Sequence, residues 1–410
     1  MKLSERLRIF ATRIKLYFVS DQVRNFVLFL EDFFPSEKIF GVFGFTFFNG
    51  LQNTTNQQRQ KQLFWIILAI TLLSTILAVI NFVHIFGDHE KFVEAIETFC
   101  WISGYIQILL LIYFLYYRKR EPIMKIIERL EQNFTQSNHE QLQFGVIKHH
   151  RKLKLIFKFY LFVFFWAWLH LNYMPLLQFL YDHEVKLLHP LWFPLYPLQP
   201  LLYPIFFFIQ SCSICFAVTV QVAMDTLFCS IICVISLEFD VLAQKLSKID
   251  PENDENAEKK LQKIIDGYNK LTDIANELEK IISLLSFVHI FAGIFMLCTC
   301  VFLLFSPISF YLMLKFTIGL PALLFQIFTL CFYGEQLQNS SMRVADGAYN
   351  CNWYGKNLKF RKMILLTMLR TQKPQKLTGM KFMDVGMPVY YWSLQTAHSY
   401  YSVLSGFYAP

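Results

Sequence analysis

The chain has 410 residues, 55% hydrophobic and 18% aromatic, with 45 Phe and 20 Tyr against a charged fraction of 17%. Soluble domains carry about 25% charged residues, so this is the composition of a membrane protein, and disordered, collagen-like and disulfide-scaffold classes are excluded. The excess of 38 Lys and Arg over 30 Asp and Glu would suit a nucleic-acid binder only if that charge were not arranged against a bilayer.

Uncharged runs, read between successive Asp, Glu, Lys or Arg residues, cover 62–87, 98–117, 159–181, 187–224, 281–314, 316–334 and 385–410. A helix crossing the hydrocarbon core needs about 20 such residues. Pro190, Pro194, Pro197, Pro200 and Pro204 make the first part of the fourth run non-helical, leaving one helix from about 201. Ser306-Pro307 divides 281–334 into two spans, with Lys315 snorkelling to the nearby interface. The prediction is an all-α membrane protein of seven transmembrane helices. Segments 1–61 and 335–384 lie in the cytoplasm, helices one to six with their extensions occupy 62–334, and the seventh helix occupies 385–410.

Lys and Arg number 9 before the first span, then 1, 10, 1, 7, 1 and 9 between spans, and none after the seventh. Basic residues collect beside cytoplasmic span ends, so the N-terminus is predicted inside and the C-terminus outside. The net charge thus reports topology, and no nucleic acid is implied. No cleavable signal peptide is evident, because Lys2, Arg6, Arg8 and Arg13 interrupt any compact apolar core. The sequons at Asn53, Asn133 and Asn339 fall on the predicted inner side, out of reach of glycosylation. The nine cysteines lie within spans or just inside them, which argues against an extracellular disulfide, and Cys212-x-x-Cys215 lacks the partners of a zinc site.

Ile123, Ile126, Ile127 and Leu130 recur at helical spacing and continue the second span inward. Leu237, Val241, Leu242 and Leu246 continue the fourth, and Ile264, Ile265, Tyr268, Leu271, Ile274 and Leu278 lead into the fifth, with Asp250-Pro251 as the break. Their apolar faces must be covered, either within one subunit or by assembly between subunits, and the pattern leaves both open. Asp225, at the inner end of the fourth span, is a functional candidate by default, but interfacial water or a helix cap is the simpler expectation.

Tyr333-Gly334-Glu335, Ser340-Ser341, Ala348-Tyr349, Trp353-Tyr354, Arg370-Thr-Gln372-Lys373-Pro374, Thr378-Gly379-Met-Lys-Phe382 and Ser399-Tyr400-Tyr-Ser402-Val403-Leu404 follow one another in that order. This ordered set, with Trp192-Phe193-Pro194 and Asp225-Thr-Leu-Phe228 upstream, resembles the insect odorant receptor family. The resemblance implies a receptor subunit of a ligand-gated non-selective cation channel, a heterotetramer with the shared co-receptor in the plasma membrane of olfactory sensory neurons. Its seventh helix would line the pore, and the inner ends of helices four to six, with a short helix over Lys359–Arg370, would form a cytoplasmic anchor; this tips the extensions toward assembly. The related gustatory receptors end in a Gln-Phe after Thr-Tyr and five apolar residues, where this chain has Gly406-Phe407 after Ser399-Tyr400. The co-receptor carries a large insertion between spans four and five, whereas this loop is compact, so the chain resembles an odour-tuning subunit. Implied partners are the co-receptor, a small volatile ligand, membrane lipid and permeant cations, and no cofactor is implied.

A volatile apolar ligand calls for an aromatic cavity with few polar groups. Faces of that kind are Trp101, Tyr105 and Ile108 on the second span, Phe162, Trp166, His170 and Tyr173 on the third, Tyr203, Phe207, Gln210 and Ile214 on the fourth, and Phe316 and Leu320 on the sixth. His170 and Gln210 are the polar members, able to meet a ligand heteroatom or to bond within the protein. Val403 and Phe407 lie four apart near the end of the seventh helix, and the resemblance implies a pore gate there, closed by apolar side chains. A G-protein-coupled receptor would need Asp-Arg-Tyr and Asn-Pro-x-x-Tyr motifs, which the chain lacks. An enzyme would rest on His84, His170 and His289, which stand in separate spans without a paired acid in sequence.

Overall fold

The computed structural model describes residues 54–88, 91–133, 146–182, 187–190, 202–250, 256–305, 310–355 and 357–408. Helix α1 is Thr54–Ile85 and α2 is Phe92–Ile112, which runs through a π-helical turn, Tyr113–Lys119, into α3, Arg120–Asn133. Then come α4 (Val146–Asp182), α5 (Tyr203–Ser247), α6 (Ala257–Phe305), α7 (Phe310–Tyr349) and α8 (Leu358–Thr371). A small antiparallel hairpin, β1 (Thr378–Gly379) with β2 (Met383–Asp384), precedes α9 (Met387–Tyr408). The Ser306-Pro307 break, the Trp192-Phe193-Pro194 motif and residues 1–53 lie outside the described residues.

Among the described residues, six helices are long and apolar enough to cross a membrane. The seventh predicted span, α9, has 22 residues, about 33 Å at 1.5 Å per residue. Ser393, Gln395, Thr396, His398 and Ser399 dilute its apolar character. At 45 residues α5 is far longer than a membrane is thick, and it is the axis of the bundle. Every residue from 220 to 241 is buried, as expected of a helix apolar on all sides. By contrast α1 and α4 are peripheral: Trp65, Ile66, Ile76 and Val83 on one, and Phe165, Leu176 and Leu180 on the other, are exposed as a face for lipid.

At the basic end, Ile123, Ile126, Ile127 and Leu130 of α3 are fully buried in the main core, and Arg129 grips both Glu277 oxygens on α6 at 2.8 and 2.9 Å. This extension therefore closes within the chain. Helix α8 differs: Asn357 caps it by accepting from the Phe360 backbone N–H at 2.9 Å, Phe360 and Ile364 are buried, and Leu358, Leu365, Leu366 and Leu369 remain exposed.

The Tyr333-Gly334-Glu335 motif has a structural cause. A Cβ on Gly334 would sit 2.3 Å from the Val385 carbonyl oxygen, so only glycine lets the strand before α9 lie this close. Glu335 then accepts from the Met387 N–H at 3.3 Å, placing a carboxylate at the positive end of α9. Ser341 accepts from the Gln375 N–H at 2.9 Å. Together these contacts fix the entry of α9 against α7.

Candidate functional site: a cavity in the outer half of the bundle

Helices α2, α4, α5, α6 and α7 converge, away from the basic end, on a cavity of about 190 Å³. That is below the roughly 300–1,000 Å³ of drug-sized ligand sites, so it has room only for a small molecule. From α2 come Cys100, Trp101, Gly104, Tyr105, Gln107 and Ile108, from α4 Phe164, Ala167, Trp168 and Leu171, and from α5 Ile214, Ala217, Val218 and Gln221. Met296 and Cys300 of α6 and Lys315, Phe316, Gly319, Ala322, Leu323 and Gln326 of α7 complete the wall.

The loop 187–190 folds over the outer side. Gln210 accepts from the Leu188 N–H and donates to the His189 carbonyl, both at 2.9 Å. His189 lies 3.1 Å from the Tyr105 hydroxyl and its ring stacks on Trp101 at 5.4 Å. Burial, with the Lys315 charge adding to it, pushes the His189 imidazole down to about 3, so it is neutral at physiological pH.

Lys315 does not snorkel outward. It is 4% exposed, and its ammonium donates to Glu97 at 2.5 Å and to the Leu188 carbonyl at 2.6 Å. It also lies 5.4 Å from the centre of the Trp101 ring. Burying one charge alone is prohibitive, so the pair comes in together.

A polar network underlies the inner end. Gln107 and Gln221 both lie 3.1 Å from His289 Nδ1, and Gln326 lies 3.5 Å from its Nε2. Gln221 donates to both Asp225 oxygens at 2.9 Å, His289 Nε2 is 3.7 Å from Asp225, and Tyr160 donates its hydroxyl to the same carboxylate. Asp225 therefore reaches neither interfacial water nor a helix end; it is buried and joins α2, α4, α5, α6 and α7. His289, isolated in sequence, meets this acid in space.

Of the residues expected to meet a ligand, Trp101, Tyr105, Ile108, Ile214 and Phe316 line the cavity, and Leu320 packs behind its α7 wall. The third-span face is displaced. Phe162, Trp166 and Tyr173 are 61%, 54% and 46% exposed, and His170, though buried, is not a wall residue. The opposite aromatic face, Phe164 with Trp168, turns inward because small Ala167 beside it admits the neighbouring helices. Tyr203 and Phe207 border a separate surface crevice with Pro175 and Phe179. Gln210 is committed to the loop backbone. On α9, Val389, Ser393 and Ala397 are buried, while Val403 is 58% exposed. Phe407 follows in the last turn, its side chain outside the described set.

The chain matches the 7tm Odorant receptor family over residues 91–398. It belongs to that family. Odorant receptor 85c of Drosophila melanogaster is 21% identical to this receptor over 379 residues, 88% of this chain and 96% of that protein. Odorant receptor 67a of the same species is 28% identical over 211 residues, 48% of this chain and 51% of that protein. The insect olfactory receptor OR5 from Machilis hrabei in complex with eugenol has the same fold, with a TM-score of 0.78 at 14% identity, over 93% of this chain and 100% of that one. Family membership makes the chain a multi-pass receptor and not an enzyme.

Proposed function

We propose that this receptor is the odour-tuning subunit of a ligand-gated cation channel and that the cavity among α2, α4, α5, α6 and α7 is where the odorant binds. The observation that carries the reading is the cavity itself, a small, largely apolar space in the outer half of an odorant-receptor bundle. The similar OR5 fold is described with eugenol, itself a small oxygenated aromatic. Helix α9 is proposed to line a central pore, with Val403 and Phe407 as its apolar gate; the exposure of the Val403 side chain supports this. The exposed leucines of α8 are proposed to meet neighbouring subunits in a heterotetramer with the co-receptor at the plasma membrane of olfactory neurons. The basic end faces the cytoplasm in this reading.

The test is whole-cell recording from cells expressing the chain with the co-receptor subunit under an odour panel. Current should begin on odorant application without added nucleotide, and Val403→Ala should raise the resting leak. Current that requires nucleotide or a G protein would refute the channel.

A further inference from the structure

The cavity's outer end carries two polar wall groups that can only donate, and this bears on what the cavity accepts. Lys315 has three N–H bonds, of which Glu97 and the Leu188 carbonyl take two. The Trp101 Nε1 is buried and has no hydrogen-bond partner among the described residues, and Trp101 and Lys315 are close enough for the ammonium to sit against the indole ring. The nearby Tyr105 hydroxyl is engaged with His189. At the inner end the amide nitrogens of Gln107 and Gln221 are engaged with His289 and Asp225.

A buried ion pair is not needed for stability, since packed apolar residues do as well or better, and an ionisable group inside a membrane bundle marks function by default. A buried donor left unpaired is costly, and a ligand acceptor would relieve that cost. Because Glu97 already balances Lys315, the end has no spare positive charge for a carboxylate, and a protonated amine would face two donors.

We infer that the cavity selects small ligands built as an apolar chain or ring bearing a neutral carbonyl oxygen, an aldehyde, ketone or ester, with that oxygen accepting from Lys315 and Trp101. The inference rests on the cavity being the odorant site.

The experiment uses the full chain with the co-receptor and four matched series, alkanes, methyl ketones, primary amines and carboxylates, each from four to ten carbons. Ketones should activate at concentrations at least 10-fold below alkanes, amines and acids of equal length. Trp101→Phe keeps the ring and removes the N–H. The double variant Glu97→Gln with Lys315→Met removes both charges without leaving one unpaired. Each should cut the ketone advantage about 10-fold at normal surface level. No advantage in the wild type, no response to any ketone, or an advantage intact in both variants at normal surface level overturns the inference. A Gly319→Leu variant separates the two levels: if it leaves every response unchanged, the cavity is not the odorant site. If it changes responses while the ketone advantage survives Trp101→Phe and the double variant, the cavity reading stands and the carbonyl selection falls.

Discussion

Gly319 offers the sharpest test of where the odorant sits. It lies in the α7 wall, and a Cβ built there meets nothing within 4 Å, so a larger side chain grows into the cavity and not into a neighbour. Gly319→Leu also removes a helix-interior glycine penalty of about 1 kcal/mol, so the fold should not suffer. The new side chain takes space that ligand carbons would hold. At about 0.8 kcal/mol per methylene, excluding roughly four of them costs about 3 kcal/mol, a rise of more than 100-fold in half-maximal concentration. The effect must depend on length, because short ligands can still be seated beside the leucine while long ones cannot. Dose–response currents along a homologous ketone series, with surface labelling as control, read it directly. Curves unchanged at every chain length with wild-type surface level would refute the assignment of the cavity.

Four further outcomes follow from the same geometry. Trp166→Ala should leave odorant tuning unchanged, since that ring faces outward; a shifted odour panel would show that the α4 faces are misassigned. Tyr160→Phe removes a hydroxyl donor from buried Asp225 and should lower stability by about 1–3 kcal/mol, visible as a lower Tm in detergent; an unchanged Tm would mean that the acid is satisfied otherwise. Gly347→Val would push a Cβ to 2.3 Å from the Ala243 carbonyl oxygen, where α7 crosses α5, and should abolish surface expression; normal surface labelling would contradict that crossing. His189 is depressed below its ordinary value, so its stabilising neutral form is complete above about pH 6.5 and is lost as pH falls toward 3, by about 1.4 kcal/mol per unit. Tm should therefore fall more steeply between pH 6.5 and 5 in the wild type than in His189→Gln, and equal slopes would refute the burial of that ring.

Six of the long apolar helices and the helical extensions of α2, α5 and α6 were legible because membrane spans and amphipathic helices are written in composition and period, which local sequence carries. The cavity face of α4 was not, because two aromatic stripes share that helix and both have helical spacing. Phe162, Trp166 and Tyr173 are as apolar as Phe164 and Trp168, and hydrophobicity cannot choose between lipid and interior where both are apolar. A usable signal was present in the small residues. Gly104, Ala167, Ala217, Gly319 and Ala322 all line the cavity, and small side chains are what let helices approach on an interior face.

Lys315 and Glu97 failed to stand out for a different reason, rooted in how spans are found. Cutting runs at every charge assigns each charged residue to a span end, so a paired lysine and glutamate within two helices look like two boundary residues. Both in fact lie inside, in α7 and α2, 218 positions apart, and neither could stay in hydrocarbon without the other. The cost that makes a lone intramembrane charge rare is what makes a pair informative: wherever one basic residue sits within a helix's reach of a span and a single acid does the same in another, the fold has a reason to bring them together. Here the pair holds a donor at one end of a largely apolar cavity, and removing the pair as a unit, which leaves no stranded charge, is what tells any contribution to recognition apart from its contribution to the fold.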